Sequence, residues 1–368
     1  MGQRRVGKTV LMQQIIEKFQ ESEVTYISKE NKDFDFLYDD TSLNDFLKKE
    51  ISNGKRYICI DEVQLIHNWE KTINSIFSQY PKIDIFLTGS NSKMLSSELS
   101  TLLSGRYIEF HIFPFSYEEY LEFHKQENNF DTFKGYIHQG GLALTYELGN
   151  NELVSEWIKN LKNTIFLKDI VSRYKIKDVS LLEDIFLFIV NNIGNITNLN
   201  SILKYLKSKQ IHTNLNTLAS YIGYLKDAFL IYEVNLYDLR GKQVFDRERK
   251  FYISDHIFRK YLFSGFDTGI GKILENIVFL EAKRKGYEVY VGRIRENEID
   301  FVLEKGGRKK YIQVAYILSD ENVIKREFGN LDMINDNWEK YVITMDEIDF
   351  GGRNGIEHIF MKDMHKVI

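Results

Sequence analysis

The segment Gly2-Gln3-Arg4-Arg5-Val6-Gly7-Lys8-Thr9 constrains this chain more than any other. It spells G-x-x-x-x-G-K-T, the pattern of a loop whose inward-pointing backbone amides cradle a polyphosphate. Gly2 and Gly7 let the backbone approach the anion, Lys8 places a charge on the β/γ-phosphates, and the Thr9 hydroxyl is set for Mg²⁺. Val10, Leu11, Ile15, Ile16 and Phe19 follow at helical spacing, so a helix opens at the loop and aims its N-terminal dipole at the same anion. The residues expected around the nucleotide are therefore Gly2, Arg4, Arg5, Val6, Gly7, Lys8, Thr9 and Val10.

A loop of this kind needs an acidic partner on a neighbouring strand. Tyr57-Ile58-Cys59-Ile60-Asp61-Glu62 supplies it: an apolar strand ending in two carboxylates. Asp61 is expected to hold Mg²⁺ and Glu62 to polarise the attacking water. Other expected elements are a strand at 24–27, helices at 42–51 and 69–77, and a strand at 83–87 that runs into Thr88-Gly89-Ser90-Asn91-Ser92. Ser90 or Asn91 then stands close enough to sense the γ-phosphate, against the plainer reading of a Gly-Ser turn. Ser104-Gly105-Arg106 precedes an expected strand at 107–112. Arg106 reads either as a surface residue or as a charge for the transition state. Ser116 and Glu119 mark a capped helix start after Pro114.

Taken in order, these motifs resemble the prokaryotic AAA-type ATPases related to the archaeal ATPase group. They are G-x-R-R-x-G-K-T, I-D-E-V-Q, L-T-G-S-N-S, L-S-G-R, F-P-F-S-Y-E-E-Y and the later Gly140-Gly141. The resemblance implies an α/β P-loop domain with a parallel sheet, binding ATP and Mg²⁺, followed by a C-terminal domain of unknown function. In that family a strand precedes the loop. Because Gly2 follows directly on Met1, the sequence reads as an N-terminally shortened form whose sheet lacks its first strand.

The domain order expected is an ATPase domain at 1–130, a helical connector at 131–178, a winged helix-turn-helix at 179–264 and a nuclease-like α/β domain at 265–368. In the third, helices at 181–190, 199–207 and 214–226 precede strands at 230–236 and 249–253. Lys204, Lys207, Lys209 and Lys226 occur there with no acid between residues 201 and 226. That suits a DNA backbone, although such modules also bind protein. In the fourth, a helix bearing Glu275, a strand bearing Asp300 and a strand with Gln313-Val314-Ala315 resemble the restriction-endonuclease-like fold. Gln313 and Ala315 depart from the acid and lysine that its cleavage needs, so a degenerate site at Glu275, Asp300 and Gln313 is expected. Asp300 has a plainer reading as a partner of Arg293, Arg295 or Lys310.

Composition narrows the rest. A net charge of −4 gives no global attraction to nucleic acid or anionic membrane. One cysteine excludes an internal disulfide and fits a reducing cytoplasm. No apolar run approaches the ~20 residues of a membrane span. No zinc or serine-hydrolase signature is present. The function expected is a Mg-dependent ATPase that couples nucleotide state to its C-terminal domains, acting on a protein partner, on DNA or as a homo-oligomer. The alternatives are a binding regulator with a non-hydrolysing loop and, further off, a nuclease.

Overall fold

A computed structural model describes residues 1–91, 106–263 and 269–368. Ser92, Ser104 and Gly105 of the expected motifs lie outside these. The chain divides into two compact units: Met1–Ile112 with Asp227–Phe229, and Phe113–Lys226 with Leu230–Ile368.

The first unit is a parallel sheet with helical crossovers. Helix α1 (Lys8–Ile16) is followed by β1 (Val24–Ser28), α2 (Asp40–Ser52), β2 (Tyr57–Asp61), α3 (Trp69–Gln79) and β3 (Asp84–Leu87). The strand order is β1-β2-β3, all parallel, with Ile27 opposite Ile60 and Ile60 opposite Leu87. Ile58, Cys59 and Ile60 are buried without a gap, as expected of a strand covered on both faces. Asp39 caps α2 through a reciprocal box with Ser42. The core of Ile27, Leu43, Leu47, Ile58, Ile60, Trp69, Ile73 and Ile76 thus fixes where the carboxyl end of β2 emerges.

The strand expected at 107–112 does not form as a regular strand. Its backbone instead meets one residue: the Met1 amine donates to the Phe110 carbonyl at 2.5 Å, and the Ile112 amide donates to the Met1 carbonyl at 2.6 Å. Two bonds to a single residue do not make a ladder.

In the second unit, α4 (Tyr117–His124) begins with the anticipated box. The Glu119 amide donates to Ser116 Oγ at 3.0 Å and the Ser116 amide to the Glu119 carboxylate at 2.7 Å. Helix α5 (Phe130–Gln139) ends at Gly140-Gly141, where the Gly141 amide donates to Asp255 Oδ2 at 2.7 Å. A Cβ on Gly141 would stand 2.4 Å from the Phe115 carbonyl oxygen, so only glycine fits this crossing. Helix α6 (Asn151–Thr164) runs on through a π-helical stretch, Ile165–Val171, to Tyr174. Asp169 lies in this π stretch and is buried.

Helices α7 (Val179–Asn191), α8 (Leu199–Ser208) and α9 (Leu215–Asp227) lead into β4 (Ile231–Asp238) and β5 (Gln243–Ile253), an antiparallel hairpin. After α10 (Ile257–Leu262) come α11 (Ile270–Arg284), β6 (Glu288–Ile294), β7 (Asn297–Lys305), β8 (Arg308–Ala315), α12 (Glu321–Asp332), β9 (Glu339–Thr344) and β10 (Ile356–Phe360). These strands form one seven-stranded sheet of order β10-β9-β8-β7-β6-β4-β5. The sequence places a boundary at 264. In the structure β4 hydrogen-bonds to β6 across it, Leu236–Asp238 against Val291–Arg293. The hairpin read as a wing is therefore also the edge of the C-terminal sheet, because the open backbone groups of β4 are completed by β6.

Candidate functional site

The loop and the end of β2 come together in the first unit. Gly7 caps α1 in the left-handed region, φ 96°, which a side chain would disfavour. Nothing lies within 4 Å of where a Cβ on Gly7 would stand, so the space beside the loop is open. An α-helix leaves its first four amides without an intrahelical partner, and α1 presents them here.

Lys8 is buried and folds back over the loop. Its Nζ donates to the Gly2 carbonyl at 3.0 Å and the Gln3 carbonyl at 2.9 Å, and stands 3.8 Å from Glu62 Oε1. Thr9 Oγ1 donates to Asp61 Oδ2 at 2.8 Å. The other oxygen of Asp61 accepts from the Thr88 hydroxyl. Thr88 also accepts the Glu62 amide at 3.1 Å, while its carbonyl accepts the Val63 amide at 3.1 Å. These bonds hold Glu62 at φ 55°, a conformation uncommon for a residue with a side chain and worth about 1–2 kcal/mol of strain.

Glu62 is itself gripped. Its Oε2 accepts from Ser90 Oγ at 3.1 Å and from the Gln64 amide nitrogen, which also reaches Ser90 Oγ at 3.3 Å. Asp61, Glu62, Ser90 and Asn91 are all buried. Of the residues read as sensors, Ser90 is tied to Glu62, and Asn91 sits beside it in the chain. Arg106 is exposed and takes no part in this hydrogen-bonded cluster. Arg4 pairs with Glu30 at 3.2 Å on the outer side. Gln64 and Thr88 were not singled out from sequence. The Gln of the Asp-Glu-Val-Gln run and the Thr opening the Gly-Ser turn were visible signals, since polar residues beside buried carboxylates need a partner.

Mg²⁺ takes hard oxygen ligands and keeps most of its waters. A hydroxyl and a carboxylate oxygen 2.8 Å apart, at the mouth of a helix N-terminus, are such a pair. The donor set therefore fits a magnesium-bound polyphosphate.

Residues 1–121 match the family described as an AAA domain, and residues 130–268 match a domain of unknown function, DUF8612. An uncharacterized protein of Haemophilus influenzae is 32% identical over 98% of this chain and 92% of its own length. The chain belongs to one family with that protein, and its N-terminal part is an AAA domain. An uncharacterized protein of Methanocaldococcus jannaschii is 28% identical over the whole of this chain and 85% of its own length. Among solved structures, the Walker-type ATPase of Pyrococcus abyssi aligns with a TM-score of 0.49 at 16% identity. It covers 71% of this chain and 89% of that one. The Aeropyrum pernix Orc1 protein in complex with DNA aligns at 0.28 and 11% identity, over 71% of this chain and 84% of that one. Both overlaps are too loose to bear on function. The AAA-domain match over residues 1–121 and the G-x-x-x-x-G-K-T loop within it support a P-loop AAA-type ATPase. Among the described residues no helix is long and apolar enough to cross a membrane.

Beyond the AAA domain, the C-terminal unit does gather Glu275 and Asp300, though around a side chain that sequence reading passed over. Lys250 of β5 is fully buried. Its Nζ stands 3.2 Å from Glu275 Oε2 and 3.4 Å from Asp300 Oδ1, and it also pairs with Glu298. Gln313 accepts the Asp300 amide at 3.3 Å, a backbone contact, and the Val314 amide donates to Asp300 Oδ2 at 2.9 Å. The plainer reading of Asp300 is corrected in its partner. Arg293 pairs with Glu248 and Lys310 with Glu339, while Asp300 pairs with Lys250. Asp300 also sits at a bulge, because Val291 of β6 faces both Asp300 and Phe301 of β7. One extra residue lets the acids Glu298 and Asp300 share a face with apolar Phe301 and Leu303.

Proposed function

We propose that the AAA domain hydrolyses ATP with Mg²⁺ and that its nucleotide state controls the C-terminal unit. One observation carries the reading: buried Lys8, Asp61 and Glu62 and the exposed Thr9 come from the loop and the end of β2 into one cluster of hydrogen bonds and ion pairing. Each then has a separate task. Lys8 leaves the loop carbonyls for the β/γ-phosphates. Thr9 and Asp61 hold the metal, directly or through its waters. Mg²⁺ when bound neutralises charge on the phosphates. Glu62, oriented by Ser90 and Gln64, takes the proton of the attacking water.

Hydrolysis by the full chain is expected to require Mg²⁺, to stop on chelation and to return when Mg²⁺ is restored in excess. Phosphate release that is indifferent to chelation would remove the assignment of Thr9 and Asp61.

A second reading is favoured by one contact. The amide and carbonyl of Thr197, between α7 and α8, exchange hydrogen bonds with Arg249 of β5 at 2.8 and 2.9 Å. A short strand after the first helix, pairing with the hairpin that follows the third, is what a winged helix-turn-helix requires. Lys204, Lys207 and Lys209 are exposed, whereas Lys226 is engaged with Glu233 at 2.5 Å. We infer duplex DNA as a ligand of this module. Three phosphate contacts predict a log–log salt slope of about −2.7 for the affinity. Absence of binding at low salt would assign the module to protein contact. Metal-dependent cleavage of DNA by the same unit is disfavoured by the seat of Lys250 between Glu275 and Asp300.

A further inference from the structure

The cluster around Lys250 has no part in the nucleotide site, and its composition is unusual for a protein interior. Three carboxylates converge on one ammonium: Glu275 from α11, and Glu298 and Asp300 from β7. An ammonium has three N–H bonds, so the three acceptors saturate it. Glu275 and Asp300 have further partners. Glu275 Oε1 accepts from Lys272 at 2.9 Å, Asp300 Oδ2 accepts from the Val314 amide at 2.9 Å, and the Tyr252 hydroxyl donates to Glu275 Oε2 at 3.4 Å. Lys272 in turn donates to the Gly194 carbonyl at 3.0 Å.

Three negative and two positive charges leave one excess anion. Glu298 is the outermost acid, with 36% of its side chain exposed, so water screens that excess. Glu275 and Asp300 are covered, and a covered carboxylate stays charged only beside a cation. Oxygens held by a helix and a bulged strand around a single point are the kind of donor set a divalent cation takes. Here that point is filled by a lysine that arrives from a third element, β5. Among the described residues no group of three or more His, Cys, Asp or Glu is arranged to hold a metal ion. The acids stand at ammonium distances, and the lysine stem fills the space between them.

We propose that Lys250 is a resident cation, filling a carboxylate pocket that takes a divalent metal ion once the lysine is removed. Its permanent charge replaces an exchangeable one and clamps β5 to α11 and β7. This goes beyond the nucleotide reading and does not depend on it.

The probe is Mn²⁺ alone, added to the full nucleotide-free chain and followed by the electron paramagnetic resonance of free Mn²⁺ and by thermal unfolding. All proteins carry Asp61→Asn, which removes the metal ligand of the phosphate loop. With Lys250 in place, no Mn²⁺ site sensitive to Asp300→Asn is expected. Lys250→Ala should lower the unfolding midpoint by roughly 10 °C, since it leaves covered carboxylates uncompensated. It should also gain one Mn²⁺ site, recover most of the midpoint in excess Mn²⁺, and lose both gains on adding Asp300→Asn. If Lys250→Ala does not fold, Lys250→Gln keeps most of the volume and two N–H donors, and is expected to show the same gain more weakly. A Mn²⁺ site at Asp300 with Lys250 present overturns the proposal. So does a folded Lys250 variant that neither binds Mn²⁺ nor is stabilised by it, and so does failure of both variants to fold in excess Mn²⁺.

Discussion

Lys8→Ala is expected to weaken ATP binding by about 30-fold or more while leaving the second unit folded. The size follows from the cost of truncating one partner of a buried charge contact, about 2–5 kcal/mol, at 1.4 kcal/mol per tenfold. Two effects add. The variant removes the buried ammonium that folds over the phosphate loop. It also leaves the Gly2 and Gln3 carbonyls without the donor that now holds them at 3.0 and 2.9 Å, so the loop loses its preset shape. Titration calorimetry with ATP and Mg²⁺ measures the first effect. Circular dichroism and thermal unfolding, unchanged for the seven-stranded sheet, separate it from general damage. Normal ATP binding by Lys8→Ala would remove the central claim about Gly2–Thr9.

That claim was legible in sequence because each of its parts is local. Gly7, Lys8 and Thr9 are consecutive, a helix must follow them, and Asp61 and Glu62 end an uninterrupted apolar strand. The Ser116–Glu119 cap was legible for the same reason, since it needs only two residues three apart. What the sequence did not show is set by pairing between distant segments. Polar Gln243 and the charged run after Phe245 made the first half of β5 look like a connector, yet Gln243, Val244 and Phe245 pair with Asp238, Tyr237 and Leu236 of β4. The parallel pairing of β4 with β6 joins segments about fifty residues apart and erases a boundary that each segment alone suggested.

Lys250 shows the same limit in one side chain. It sits between Arg249 and Phe251, in a stretch read only as a strand. Its neighbours in space are Glu275, Glu298 and Asp300, and only the fold brings them there. The available signal was slight: the charged run Arg247-Glu248-Arg249-Lys250 abuts the apolar run Phe251-Tyr252-Ile253, and burial of an ammonium demands an acid. Gln64 and Thr88 carried a similar signal beside Asp61 and Glu62. The π stretch at Ile165–Val171 had none, since it differs from an α-helix by one inserted residue.

Glu62→Gln is expected to keep ATP binding and to lose turnover by about 10²–10⁴-fold, the range attributed to one positioned base. The substitution holds volume and chain direction. The side-chain oxygen of glutamine still accepts from Ser90 and Gln64, so the left-handed backbone at residue 62, fixed by Thr88, is retained. What disappears is the negative charge that accepts a proton. Affinity is expected to hold or rise slightly, because Glu62 now stands 3.8 Å from Lys8 and draws it away from the place of the phosphates. Loss of binding together with turnover would mean that Glu62 shapes the loop and does not act on water. A single-turnover measurement of phosphate release, at ATP concentrations fixed by the measured affinity, distinguishes the two. Undiminished release would clear Glu62 of the base role and turn attention to Ser90 and Asn91, buried polar side chains at that end of the sheet.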